Sequence, residues 1–331
     1  MRFVRFIGIV ALSFAATLAL VDAAVRAAFP ALPRLEDNFS AAYLARAIDR
    51  GGVTNHVVFL GDSVLWGYRL PAAETATAEL ARRGVPVTNL SFEGGSMANT
   101  YAMLRVMAVR GARPRAVVFN VNVKEFNAAD SAYRTLYPAV ETLAWQELTP
   151  QERALLQRTR PQTADAAVDR VLSRWWSLYG MRADVRELLF GAPDAATAVQ
   201  GALGQASGRN ARTEAAHRPT AERFLGTYDL APLAADNVEV VFLRKTAALL
   251  AAANVPAVAI LTPANHALLH DYIDVPDYAA QLRSIRAALG PRVRVLDYDR
   301  AFSAREFIDN DHLTAAGNRR LAEMLYPVLP R

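Results

Sequence analysis

Four short blocks of the chain carry residue types that do chemistry together. The first is Phe59-Leu60-Gly61-Asp62-Ser63-Val64-Leu65-Trp66-Gly67. An apolar run ends in glycine, turns through Asp-Ser and enters a helical stretch. Ser63 there reads either as an ordinary helix N-cap or as a nucleophile whose own amide also donates to an oxyanion. The helix N-terminus would offer N–H groups and positive potential to an anion. The second block, Asn89-Leu90-Ser91-Phe92-Glu93-Gly94-Gly95-Ser96, places two glycines where they make a plain turn or let the backbone approach a ligand closely. The third is Phe119-Asn120-Val121-Asn122-Val123. A buried amide is costly unless paired, and a developing oxyanion is one such partner; alternation puts Asn120 and Asn122 on the same face, so parity does not choose between them. The fourth is Asp309-Asn310-Asp311-His312-Leu313-Thr314. A carboxylate three residues before a histidine can fold back to hold its tautomer while the other ring nitrogen faces a serine.

Each block needs a scaffold to bring it to the others. Short apolar runs at His56–Gly61, Val85–Leu90, Ala116–Val121, Pro256–Thr262 and Arg292–Asp297 read as buried strands. Between them lie helix-like stretches at Thr75–Arg83, Met97–Arg110, Val238–Ala252 and Asp277–Leu289, with Thr314–Leu325 last and Ala41–Ile48 ahead of them all. Alternation of this kind predicts an α/β protein with a five-stranded parallel sheet covered on both faces, in a three-layer flavodoxin-like arrangement. Such sheets place ligands at the C-terminal strand ends, where all four blocks fall. Residues of about 125–235 break the alternation: helical segments at Gln151–Arg158 and Ala164–Leu189, then a Gly-, Ala-, Arg- and Asn-rich stretch from Gly191 to Arg218. Trp175, Trp176, Tyr179, Leu188, Leu189 and Phe190 lie among Arg174, Arg182 and Arg186. They read either as a helical insertion packed on the sheet or as a surface resting on a membrane or membrane partner.

Taken together, the order and spacing of the four blocks resemble the SGNH (GDSL-type) serine hydrolase family, over about residues 55–125 and 255–326. The resemblance implies the α/β/α SGNH fold, with Ser63 as nucleophile, His312 as general base and Asp309 as its orienting partner in preference to Asp311. It implies an oxyanion hole from the amides of Ser63 and Gly94 and the side chain of Asn122, with Asn120 as the alternative. No cofactor and no metal are implied. The third block departs from the family's usual Gly-x-Asn-Asp, since Asn120 replaces the glycine and Val123 the aspartate.

Composition narrows the setting. The chain has 331 residues, 53% of them hydrophobic, and no cysteine, which excludes disulfide scaffolds, thiolate zinc sites and a cysteine nucleophile. His266 and His270 are four apart but lack a third ligand. All but two of its 37 basic residues are arginine, the exceptions being Lys124 and Lys245, and no dense basic block predicts a nucleic-acid partner. Arg2 and Arg5 precede the uncharged run Phe6–Val21. Residues 1–28 therefore read as a signal-anchor, or as a signal peptide cleaved near Val21-Asp22-Ala23. The body, residues 50–331, is expected outside the cytoplasm, on the periplasmic face, anchored by an N-terminal transmembrane helix or secreted if the segment is cleaved. The N-terminal segment, the divergent third block and the helical insertion together resemble a single-span extracytoplasmic subset of the family that works beside membrane-bound O-acyltransferases on cell-surface polysaccharides. The implied function is an esterase that forms an acyl-Ser63 intermediate on O-acylated carbohydrate or another small acyl ester. The alternatives are an O-acyltransferase partnered with a membrane-bound O-acyltransferase, and a non-catalytic glycan- or partner-binding module. A lipid esterase is supported only by the apolar residues near Trp66.

Overall fold

The structure is a computed structural model. It describes residues 12–21, 41–49, 52–127, 135–159, 221–224 and 226–330, with isolated positions between them such as Leu35 and Phe39. Five strands form one sheet: β1 (Val57–Leu60), β2 (Val87–Asn89), β3 (Ala116–Val121), β4 (Ala257–Leu261) and β5 (Arg294–Asp297). Their order is β2-β1-β3-β4-β5 and every pairing is parallel. β3 spans the same residues as its apolar run, while the other four strands are shorter than theirs, whose outer residues enter loops.

Alternation along each strand feeds two apolar layers. Val58, Leu60, Val117, Phe119, Ala259 and Leu261 face one side. There they meet α1 (Ala41–Asp49), α4 (Met97–Val109), α5 (Pro138–Ala144), α7 (Val238–Ala252) and α9 (Pro276–Leu289). Val57, Phe59, Val118, Val258 and Ile260 face the other, against α3 (Ala76–Arg82) and α10 (Ala315–Leu325). Full burial of each Phe or Leu contributes about 1.5–3 kcal/mol, so a sheet covered on both faces holds its strands firmly in register. The chain leaves β1 toward β2 on one side and returns to β3 on the other, which opens a crevice at the C-terminal ends of β1 and β3.

Several local expectations change. The helix after β1, α2 (Ser63–Trp66), is a single turn that Gly67 ends with φ +88, so it lacks the aligned peptides of a long helix dipole. Two helices went unread: α5, which starts at a proline, and α8 (His266–Ile273). The predicted helix at Gln151–Arg158 is α6 (Pro150–Thr159). Most of Ala164–Leu189 and all of 191–218 lie outside the described residues, apart from such positions as Trp176 and Tyr179, whose rings stack at 5.9 Å. Among the described residues no helix is long and apolar enough to cross a membrane. Residues 12–21 are helical, with Leu12, Phe14 and Leu20 exposed, and the rest of the expected span lies outside the described residues.

The crevice depends on glycine. Gly61 has φ +150, and a Cβ on it would lie 1.8 Å from Asn120 Oδ1. Gly61→Ala should therefore cost about 3 kcal/mol or more in urea denaturation. Gly84→Ala, at φ +82 with open space around it, should cost only about 1–2 kcal/mol. Equal losses at the two positions would contradict this packing.

Candidate active site

At the end of β1, Asp62 rather than Ser63 caps α2, its carboxylate accepting from Val64 N at 2.8 Å. The N-cap reading of Ser63 thus gives way, and one helix N–H expected for an anion is already taken. Ser63, released from capping, donates its hydroxyl to His312 Nε2 at 2.8 Å. His312 Nδ1 lies 2.8 Å from both carboxylate oxygens of Asp309. In the neutral ring the proton therefore sits on Nδ1, and Nε2 is left to accept from Ser63.

The loop that carries the histidine is held at several points. Phe307 and Leu313 pair in an antiparallel bridge, and Ile308 N donates to His312 O at 2.7 Å. Asn265, just after β4, donates its amide N–H to Asn310 O at 2.8 Å and its side chain to Asp309 O at 2.9 Å. On the opposite side, Gly67 N and Tyr68 N both donate to Ser63 O at 3.0 Å. This folds the chain back and sets the half-buried Tyr68 ring 4.3 Å from the His312 ring.

Blocks two and three close on the first. Gly95, rather than Gly94, makes the tight backbone approach: a Cβ there would lie 2.1 Å from Gly61 O. Gly94 is exposed, with φ +76 and open space around it. Asn120 donates to Asp62 Oδ1 at 2.8 Å and Thr262 Oγ1 at 2.9 Å, and its oxygen accepts from Asp62 N at 3.1 Å. Asn122 donates to Asp62 Oδ2 at 3.0 Å and Asp311 Oδ2 at 2.8 Å. Both N–H groups of each amide thus point at acceptors within the protein. A role for Asn122, or for Asn120, as oxyanion donor requires one of these bonds to be exchanged for the substrate oxygen.

The electrostatics favour a charged pair around the imidazole. Burial opposes protonation of His312, but the Asp311 charge and the Asp309 hydrogen bond outweigh it and hold the pKa above the ordinary histidine value. Burial would raise Asp309, yet its bond to His312 brings it below the usual carboxylate range. Asp311 is likewise raised by burial but lowered further by Lys124 and His312. Deeper still, burial pushes Glu239 up to about 8 and raises Glu125 well above its ordinary value. In both, burial favours the neutral acid over the carboxylate. Asp309, Asp311 and His312 are the one grouping among the described residues that could hold a metal ion. Their donor atoms are largely engaged already, by Ser63, Lys124, Asn122 and one another.

Asp62, Tyr68, Lys124 and Asn265 were not singled out from sequence as parts of the site. Asn265 lies beyond the end of β4, in the loop that follows it, and its place was set only by the fold. Lys124 is one of only two lysines in an arginine-rich chain, a compositional signal that needed the fold to give it a place.

Three comparisons with known proteins complete the description. No family model matches the chain, and no curated protein does. Among solved structures, a candidate lipolytic protein of the G-D-S-L family from Desulfitobacterium hafniense DCB-2 is similar at a TM-score of 0.40 and 10% identity. That alignment covers 83% of this chain and 100% of the other. At so distant a likeness, the functional reading rests on the geometry of the site.

Next to Asn265, His266 places Nδ1 2.6 Å from Asp274 and Nε2 2.9 Å from the buried Asp299. Burial lowers its pKa, but Asp299 first and Asp274 next outweigh this and raise it. A raised histidine stabilises fully below its unfolded pKa of about 6.5 and loses that contribution as pH climbs through the folded value. The stability gap between wild type and His266→Gln should therefore be widest below about pH 6 and narrow toward pH 9. A gap independent of pH would contradict this assignment.

Proposed function

We propose that the protein is a serine-dependent acyl-ester hydrolase that forms a covalent acyl-Ser63 intermediate. The observation that carries this reading is the continuous hydrogen-bonded line from Ser63 Oγ through the His312 ring to Asp309, with each step at 2.8 Å. Such a line does the work of a nucleophile, its base and the base's orienting group. In this reading His312 Nε2 takes the Ser63 proton as Oγ attacks the ester carbonyl. Asp309 holds the Nδ1 proton and offsets the imidazolium charge. The oxyanion rests on the amides of Ser63 and Gly94, with Asn122 joining if it releases a carboxylate. His312 then protonates the departing alcohol, and water, activated by the same nitrogen, frees the acid and restores Ser63.

The substrate proposed is an O-acylated carbohydrate at the cell surface. Support comes from the resemblance of the N-terminal segment, the divergent third block and the helical insertion to an extracytoplasmic subset of SGNH enzymes. Export is proposed on Arg2, Arg5 and the uncharged Phe6–Val21 run. Transfer of the same acyl group to a sugar hydroxyl, supplied through a membrane-bound O-acyltransferase, differs only in which nucleophile resolves acyl-Ser63. The assembled triad disfavours a purely binding role.

Ser63→Ala should abolish turnover of a short-chain aryl acetate while far-UV circular dichroism stays unchanged. Turnover that persists at the wild-type rate would refute the nucleophile. A reporter fused after Arg331 should behave as extracytoplasmic, and cytoplasmic behaviour would refute export.

A further inference from the structure

Behind the catalytic histidine lies a buried ion pair that the triad itself does not require. Lys124 follows β3 on a short 3-10 turn, and its ammonium pairs with Asp311 Oδ2; the two side chains are 8% and 1% exposed. That same Asp311 oxygen accepts from Asn122 Nδ2 at 2.8 Å, while Oδ1 lies 3.4 Å from His312 Nδ1 without a hydrogen bond of its own. Asp311 therefore touches the asparagine on one side and the histidine on the other. Lys124 N also donates to Asn122 Oδ1 at 3.3 Å. The lysine thus holds both Asp311 and the asparagine that bonds to it.

Its residue type is informative. A buried, uncompensated carboxylate is strongly unfavourable, so the enclosed Asp311 calls for a cationic partner. In a chain that otherwise writes arginine almost everywhere, a lysine stands at this enclosed position. The groups facing His312 are Asp309 and Asp311 on its own loop, Ser63 from α2 and the Tyr68 ring, over which Arg69 lies at 5.1 Å. Lys124, from the turn after β3, acts on the ring through its charge.

We propose that Lys124 is a positioning residue of this site: it fixes Asp311 between Asn122 and His312, and so sets the charge the base works against. Two carboxylates beside one imidazole would bias it toward the protonated form, in which it cannot accept the Ser63 proton. Lys124 offsets part of the second carboxylate's charge and so limits that bias. The proposal rests on the reading of His312 as a base, but its physical content can be measured without turnover.

The test is an NMR titration of the His312 ring in full-length protein, with the resonance assigned by its loss in His312→Asn. Lys124→Met should raise the titration midpoint above wild type, because Asp311 is left unopposed. Asp311→Asn should lower it, and Lys124→Met/Asp311→Asn should fall between the two single variants. Lys124→Arg, which keeps the charge, should stay close to wild type. The pH–rate profile with an aryl acetate should follow, the wild-type to Lys124→Met rate ratio being about tenfold larger at pH 6 than at pH 9. A lysine that served only packing would lower the rate equally at every pH. If Lys124→Met fails to fold, the charge-neutral double variant and Asp311→Asn decide the matter. An unmoved midpoint in both overturns the proposal whatever the turnover does. Midpoints in the expected order without Ser63-dependent turnover would uphold the role of Lys124 and overturn the hydrolase reading instead.

Discussion

The carboxylate of Asp62 joins the two strand ends between which the crevice opens. It accepts from Val64 N, from Asn120 Nδ2 and from Asn122 Nδ2, while the Asp62 amide donates back to Asn120. Three donors converging on one buried acceptor fix where β1 ends, where α2 begins and how β3 approaches both. Without that acceptor, each orphaned buried N–H would cost about 1–3 kcal/mol, and the start of α2 would lose its cap. The side-chain hydroxyl of the next residue is consequently free to face His312. Gly61 and Gly95 belong to the same constraint, since any side chain at either would occupy the space in which Asn120 and the Gly61 carbonyl meet their neighbours.

A second anchorage holds His312. His312 rides on a narrow turn closed by the Phe307–Leu313 bridge and strapped to the end of β4 by Asn265. Ser63 and His312 therefore hang from different strands of one sheet, and their 2.8 Å contact is kept by the register of the parallel core rather than by either loop alone. Around the imidazole, charge is balanced by placement: Asp309 is paired with the ring and Asp311 with Lys124, while burial raises the pKa of the deeper Glu125 and Glu239.

Much of this was legible in the sequence because the relevant signals are local. Near-continuous apolar runs such as Val57–Leu60 and Ala116–Val121 announce strands buried on both faces, and the spacing from Asp309 to His312 is short enough to state its own geometry. What stayed hidden depends on long-range partners. Whether Ser63 or Asp62 caps α2 is decided by Asn120 and Asn122, about 60 residues away. The commitments of Asn122 could not be read without knowing that Asp311 would arrive from the far end of the chain. Of the two helices missed, α5 starts at a proline within the stretch that breaks the strand–helix alternation, and α8 stands just ahead of the helix α9 that was read after β4.

The central claim is that His312, oriented by Asp309, activates Ser63 as a nucleophile. The most direct measurement is intact-mass and peptide mass spectrometry after treatment with a serine-directed fluorophosphonate. The account predicts one adduct per chain, mapped to Ser63, and strongly slowed labelling in His312→Asn. Labelling at another residue, or labelling of Ser63 at an undiminished rate when His312 is replaced, would contradict it.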